Sequence, residues 1–482
     1  MTTMSARRLA GIIGTGPWAS PANESVAEAV VRAISDGRVP VGIRLPSERE
    51  LAAGIGVSRT TTARVYARLR EHGFIRTRRG SGSVVEIPAV PGGRIDHLLS
   101  PVGPGEGLID LTCTATTAPA RVREAFAAAL DALPAYLPGT GYYPSGIPAL
   151  RELVADRFTA RGAPTHPDEI LITAGALGGA AVGLRALLTP PARVLIESPS
   201  YPNAIATIEA AGGRGVSYPL EIDSAGRHFW DTSAMGEVMR SNRVRSAYLI
   251  PDFHNPTGAL LPEAQRPALA EELERSAVVP VFDESLVELG LDDHPAPTPM
   301  AALVPDSITV GSTSKIFWGG LRIGWMRIPR HRFDAVASAR LALDLGAPVL
   351  EQLAAIELLR DHDAIIGDFR RRLREARDGL AAAVRAHCPD WQVVVPSGGM
   401  ALWVRLPEER SGALTAAAAR HGLALVSGPN FAPAGGLDGW IRLPYTVAQA
   451  ELDQVAPRLA AAWQDALDRR APQRQERARI VA

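Results

Sequence analysis

From Leu108 onward, short apolar runs alternate with amphipathic helical stretches, and this alternation constrains the fold more than any other feature of the chain. "EILITAG" leads into "ALGGAAVGLRALL", and "RVLIESPSYPNA", "RSAYLIPDF", "VVPVFDES" and "SITVGSTSK" follow in kind. An unbroken apolar run suits a strand covered on both faces, and a helix between strands is the connection that parallel pairing requires. The pattern therefore predicts an α/β domain with a mainly parallel sheet over 108–345. Beyond it, 346–468 combines long helices with the strand-like "ALWVRLP" and "GWIRLPY", which predicts a smaller α+β lobe. The charged stretch 469–482 reads as a tail.

The first ninety residues differ in kind. They hold 13 arginines against 7 acidic residues, a balance of +6 in a chain whose net charge is zero. A small basic unit joined to a larger acidic one is the expected arrangement, and the basic unit is the candidate for nucleic acid. Apolar spacing predicts a helix over 24–35. Ser47 caps a second helix through Ala53, which Gly54 and Gly56 end, and Ser58 caps a third through Glu71. "FIRTRRGSGSVVEI" carries two strand-like runs around a Gly-Ser-Gly tip, a hairpin signal. The plan is a winged helix-turn-helix over 21–88. Residues 1–20 form an arm, and the Pro- and Gly-rich 89–107 a linker.

In such a fold the third helix presents its first turn to DNA. Arg59, Thr60, Thr61 and Thr62 are the candidate base and phosphate contacts, with Arg49 at the preceding helix start. Arg78, Arg79 and Gly80, at the wing tip, are candidates for the minor groove. The order LPSER, turn, VSRTTTARVYARL, GSG resembles the DNA-binding domain of the GntR family of bacterial regulators. That resemblance implies dimeric binding to an operator of two half-sites.

Lys315 is the only lysine in the chain; every other positive side chain is arginine. Arginine keeps its proton at any pH a protein meets and cannot form an imine, whereas a desolvated lysine can. Around Lys315 the order is Asn255 in "HNPTG", Asp283 in "VFDE", Lys315 itself, then Arg322. Pyridoxal phosphate calls for these groups: an amine to bond its aldehyde, a carboxylate for its ring nitrogen, an amide for its phenolic oxygen and a cation for its phosphate. "TAGALGGA" sets the amides of Gly175, Ala176 and Leu177 at a strand-to-helix junction that can receive phosphate. Ser312 completes that cup, and Tyr201 is placed to stack on the ring.

These residues resemble fold-type I aminotransferases over about 108–465. The resemblance implies that Lys315 is the Schiff-base residue, Asp283 the pyridinium partner and Asn255 the phenolic-oxygen donor. It implies further that Arg442, in "WIRLPY", grips a ligand carboxylate and that Tyr143 reaches the partner subunit's cofactor. The family's usual tyrosine, two or three residues past the aspartate, is replaced by Ser285 and Leu286.

Head, linker and body together resemble the MocR subfamily of GntR transcription regulators. The resemblance implies a homodimer, head-to-tail, whose body senses pyridoxal phosphate or an amino compound by aldimine exchange at Lys315. Ligand capture would then close the small lobe and reorient the heads. Two other readings stay open: a working aminotransferase that carries a DNA-binding head, and a constitutive DNA-binding protein with an inert body. Cys113 and Cys388 match no metal or redox spacing. Arg7-Arg8 precedes an apolar stretch too short and glycine-broken for an export signal, and no run approaches membrane-spanning length. The chain is expected to be cytoplasmic.

Overall fold

The computed structural model describes residues 3–35, 39, 43–78, 82–85, 108–292 and 296–468. Arg79, Gly80, the linker 89–107 and the tail 469–482 lie outside the described residues, as does the side chain of Arg78. The chain divides near residue 103 into two compact units.

The first unit contains helices Ala22–Ser35, Glu48–Ile55 and Arg59–Glu71, followed by strands Ile75–Arg78 and Gly82–Val85. The strands pair antiparallel, Ile75 opposite Val85 and Arg78 opposite Gly82. Ser47 and Glu50 form a reciprocal capping box, and Gly56, left-handed at φ 71°, ends that helix. Gly54 lies inside the helix and does not break it. Val26, Val30, Leu51, Ile55, Val65 and Leu69 make the core. Each such aliphatic side chain contributes about 1.5–3 kcal/mol on burial.

Two expectations need correction here. The arm 1–20 contains a helix, Ala6–Ile13, capped by Ser5, whose Leu9 and Ala10 are buried in the same core. Its one internal glycine, Gly11, is tolerated because packing outweighs propensity. Thr62, expected at the DNA, is 0% exposed. Its hydroxyl donates to the carbonyls of Glu48 (3.0 Å) and Arg59 (2.9 Å), joining the two helices of the motif.

The second unit is built on a seven-stranded sheet. Its order is Ile170–Thr173, Gly324–Arg327, Ile308–Ser312, Val279–Asp283, Ser246–Leu249, Ala192–Ser198 and Gly213–Pro219. Only Gly324–Arg327 runs against the rest. Alternate side chains go to opposite faces. Val194, Ile196, Tyr248 and Val281 pack in one core with helices Ala176–Leu187 and Arg330–Leu341. Leu195, Ala247, Leu249 and Phe282 pack in another with helices Thr232–Ser241 and Arg266–Arg275.

The smaller lobe has an antiparallel sheet ordered Gln392–Val393, Ala401–Arg405, Trp440–Pro444, Val426–Ser427. It packs with helices His362–His387, Ser411–Arg420 and Gln449–Asp468. Among the described residues no helix is long and apolar enough to cross a membrane.

Candidate functional site

In an open parallel sheet, ligands collect at the carboxyl ends of the strands. Asp283 ends Val279–Asp283, Lys315 follows Ile308–Ser312, Gly175 follows Ile170–Thr173, and the 250–258 loop follows Ser246–Leu249. From Gly175 to Lys315 these residues span 140 positions of sequence, and the sheet brings their strand ends to one edge.

Asn255 owes its place to a tight turn. The amide of Gly258 donates to the His254 carbonyl at 2.6 Å, and the His254 ring meets the Thr257 hydroxyl at 3.0 Å. Gly258 sits at φ 68°, where a Cβ would come 2.4 Å from Pro396 Cβ, so only glycine fits. Behind the turn lies a carboxylate that sequence reading missed. Glu197, wholly buried, accepts from the Ile250 amide (3.0 Å) and the Trp230 indole (2.9 Å), with His254 Nε2 3.4 Å away.

Asp283 has two donors. The Ser285 amide reaches Oδ1 at 2.9 Å, and the Tyr248 hydroxyl donates to Oδ2. The register explains the second: Val281 lies opposite Tyr248, so Asp283, two residues on, emerges on the same face as the phenol. A tyrosine on the neighbouring strand thus orients this aspartate, a different task from the phenolic-oxygen donor that Ser285 and Leu286 do not supply. Burial, then the Asp283 carboxylate, pushes the Tyr248 phenol well above its ordinary range, so it remains a donor.

Lys315 is held by neutral oxygens. Its Nζ donates to the Thr114 carbonyl at 3.0 Å, with the Thr114 hydroxyl at 3.4 Å. Burial above all holds its ammonium below the usual lysine range; Arg442 and Arg322 push the same way, and Cys113 and Asp283 oppose them. Arg442 is 0% exposed. Its Nη1 donates to Asn255 Oδ1 (3.2 Å), its Nη2 to the Thr112 carbonyl (2.7 Å), and its guanidinium lies 5.1 Å from the Phe431 ring centre. Its Nε is buried without an acceptor among the described residues. Desolvation brings this guanidinium down to about 10.

At the phosphate end, Gly175 precedes helix Ala176–Leu187 at φ 86°, and no side chain caps the helix. A Cβ on Gly175 would lie 2.9 Å from Arg322 Nη2, and Arg322 donates to the Ala174 carbonyl at 2.8 Å. The Ser312 hydroxyl accepts from the Ser314 amide at 3.1 Å. The Ser314 hydroxyl, not singled out in the sequence, is buried without a partner among the described residues. Tyr201 is half-buried, its phenol pushed up to about 12 by burial and contacted by Asn203 Nδ2 at 2.8 Å. Tyr143 stands apart from these residues, its ring edge-on to Tyr136 at 6.0 Å.

Among the described residues, a buried cation without an anion, a carboxylate held by a phenol and an amide, an uncapped helix start and an idle buried hydroxyl suit an aromatic aldehyde bearing a phosphate. Residues 115–459 match the family described as "Aminotransferase class I and II". The chain belongs to that family. Residues 22–85 match "Bacterial regulatory proteins, gntR family", so the first unit is a DNA-binding domain and the whole has the MocR-type architecture. The second unit is a pyridoxal phosphate domain.

The chain is 27% identical over 417 residues to the uncharacterized HTH-type transcriptional regulator YisV of Bacillus subtilis, covering 80% of this chain and 84% of that one. It is 27% identical over 365 residues to the HTH-type pyridoxine biosynthesis transcriptional regulator PdxR of Corynebacterium glutamicum, covering 73% and 74%. Among solved structures it is similar to LysN, the α-aminoadipate aminotransferase of Thermus thermophilus complexed with N-(5'-phosphopyridoxyl)-L-leucine. That likeness has a TM-score of 0.69 and 28% identity, over 78% of this chain and 95% of that one.

On the DNA-binding unit, Arg49, Arg59 and Thr60 are exposed, and Thr61 is half-buried with its amide on the Ser58 cap at 3.0 Å. Arg64, a turn further along the same helix, is also exposed and extends this basic face.

Proposed function

We propose that this chain is a transcription regulator whose body senses pyridoxal phosphate, or an amino compound that takes the place of Lys315 on it, and that this state sets DNA affinity. The observation that carries the reading is the chain's single lysine, half-buried with its Nζ on neutral acceptors in a protein with a GntR-type head. When bound, the cofactor supplies an electrophilic carbon and an electron-withdrawing ring.

In this reading Lys315 offers the amine, and burial keeps more of it neutral at a given pH than in a free lysine. Asp283, oriented by Tyr248 and the Ser285 amide, pairs with the ring nitrogen, and the Asn255 amide serves the phenolic oxygen. Arg322, Ser312, Ser314 and the amides of Gly175, Ala176 and Leu177 hold the phosphate, while Tyr201 covers the ring. Arg442 receives a ligand carboxylate. Borohydride reduction and peptide mapping should find the adduct on the peptide containing Lys315; an adduct on another peptide, or none, contradicts the reading. Tyr248→Phe, which removes one hydrogen bond to a carboxylate, is expected to weaken cofactor retention about tenfold, read by spectral titration.

A homodimer belongs to the proposal. Leu130, Leu137 and Tyr142 are exposed, as are Leu341, Leu343 and Leu345. The two groups adjoin where Gly346 lies against the Tyr143 carbonyl. An apolar surface of this kind is covered by a second copy in symmetric assemblies, which would carry Tyr143 toward the partner's cofactor. Leu343→Glu should shift the sedimentation profile toward monomer; an unchanged profile removes this surface from the interface. Each head would take one half-site of an operator in the cytoplasm. Arg59→Ala should then weaken operator binding by about 1–3 kcal/mol and leave the cofactor spectrum intact.

The likeness to an aminotransferase supports a second reading, turnover of amino and 2-oxo acids. Rapid multiple turnover, with DNA affinity indifferent to ligand, would favour it.

A further inference from the structure

The DNA-binding unit carries more structure than its family match covers: helix Ala6–Ile13 lies ahead of residues 22–85. The added stretch is basic, since residues 1–23 contain Arg7 and Arg8 and no acidic residue. Both arginines are exposed, and their side chains make no hydrogen bond or ion pair among the described residues. Arg68 of the same unit, by contrast, pairs with Glu24 at 2.9 Å.

Strand direction shows where the helix begins. Leu45 N donates to Ser83 O at 2.9 Å and Val85 N to Ile43 O at 3.0 Å, so 43–45 heads toward the Gly82 end of the hairpin. In sequence that end leads to Arg79 and Gly80, the wing-tip candidates. Thr3 bridges Arg44 in parallel, and Met4 N donates to Arg44 O at 2.8 Å, so residues 3–5 head the same way. Ser5 then caps Ala6–Ile13 as Ser47 caps Glu48–Ile55, and the two helices start from one end of the unit. They also touch. A Cβ on Gly54 would lie 3.3 Å from Ala6 Cβ, and the Trp18 indole donates to Ile55 O at 3.4 Å. Gly54 stands two residues before Gly56, where the motif turns toward Ser58 and Arg59.

We propose that helix Ala6–Ile13 is a further DNA-binding element of this chain, in which Arg7 and Arg8 contact backbone phosphates flanking those met by Arg49. The first motif helix of a helix-turn-helix crosses the DNA backbone, and the arm helix starts beside it, on the end that the wing tip shares. Leu9 and Ala10 fix the arm helix in the core, so little order is lost when its arginines meet DNA. An exposed guanidinium without an acidic neighbour keeps its charge for a phosphate, and each phosphate neutralised releases a counterion. Contacts of this kind raise affinity without choosing a sequence. The proposal rests on the DNA-binding domain and is independent of the cofactor.

The full chain is titrated over a range of salt against two duplexes: one that the protein selects from a random-sequence pool, and one of the same composition in shuffled order. Arg7→Gln with Arg8→Gln is expected to weaken binding to both by a similar factor, about tenfold, and to flatten log affinity against log salt by about one to two. Arg7→Lys with Arg8→Lys should keep the parent's slope. Ethylation of flanking phosphates on the selected duplex should interfere with the parent and not with the glutamine pair. Unchanged affinity and slope in the glutamine pair, or an unchanged ethylation pattern, overturns the proposal. So does a loss confined to the selected duplex, which would make the arm a reader of bases, or a loss that the lysine pair shares, which would make its role one of folding. A parent chain that binds neither duplex refutes the DNA-binding head as well.

Discussion

Lys315→Ala is expected to abolish covalent cofactor attachment in the site completely: the peptide that carries position 315 shows no mass gain and no reducible adduct, and no imine band appears beyond the absorption of pyridoxal phosphate itself. The effect is all-or-none because the chain contains no second lysine to stand in. Lys315→Arg should fail as fully, since a guanidinium keeps the charge but cannot form the bond. Loss of the amine also leaves the Thr114 carbonyl without its 3.0 Å donor, a cost of about 1 kcal/mol that a folded domain of this size survives. Attachment in the parent chain should depend on pH with a definite sign. The neutral amine is the nucleophile, so the attachment rate rises with pH and levels off above the amine's pKa. Because burial lowers that pKa, the plateau is reached at lower pH than for free lysine. A stopped-flow profile that still climbs where free lysine titrates would contradict this assignment of the half-buried amine.

Arg442→Met is expected to cost carboxylate ligands about 2–5 kcal/mol, roughly one and a half to three and a half orders of magnitude in affinity, because the ligand anion would enter a desolvated site without its cation. Binding of pyridoxamine phosphate, which has no carboxylate to offer, should change far less. Arg442→Lys should not restore the loss, since an ammonium gives neither the planar fork nor its reach to both Asn255 and Thr112. Comparing the two ligands on both variants by calorimetry separates removal of a carboxylate grip from general damage to the site. Equal losses for both ligands would mean that Arg442 serves the fold rather than the ligand.

Much of this architecture was legible in the chain because it rests on local rules. Ser47 with Glu50 and Ser58 with Thr61 announce helix starts whatever surrounds them. The runs ending in Asp283 and preceding Lys315 read as strands because both of their faces are covered. The misses depend on tertiary register or on main-chain atoms. Tyr248 meets Asp283 only because its strand pairs with Val281 opposite, an offset that sequence does not encode locally. Thr112 and Thr114 act through carbonyls, which every residue possesses, so their side chains give no signal. Thr62 could have been placed correctly. With Val65, Tyr66 and Leu69 it occupies the i, i+3, i+4, i+7 stripe of its helix, the buried face. Helix Ala6–Ile13 was obscured by Gly11 and Gly14, the second of which only ends it.

The account rests on coupling between occupancy of the Lys315 site and affinity for DNA. Its most direct test is a titration of the full chain against a DNA fragment that the protein itself selects from a random-sequence pool. The chain is compared cofactor-free, loaded with pyridoxal phosphate, and loaded with N-(5'-phosphopyridoxyl)glycine, a cofactor adduct that carries a carboxylate, with Lys315→Ala alongside. At fixed salt, the account predicts at least one change of about fivefold or more between the parent's states, and a Lys315→Ala affinity indifferent to added pyridoxal phosphate. Identical affinities in all three states of the parent, with the cofactor demonstrably attached, would contradict it.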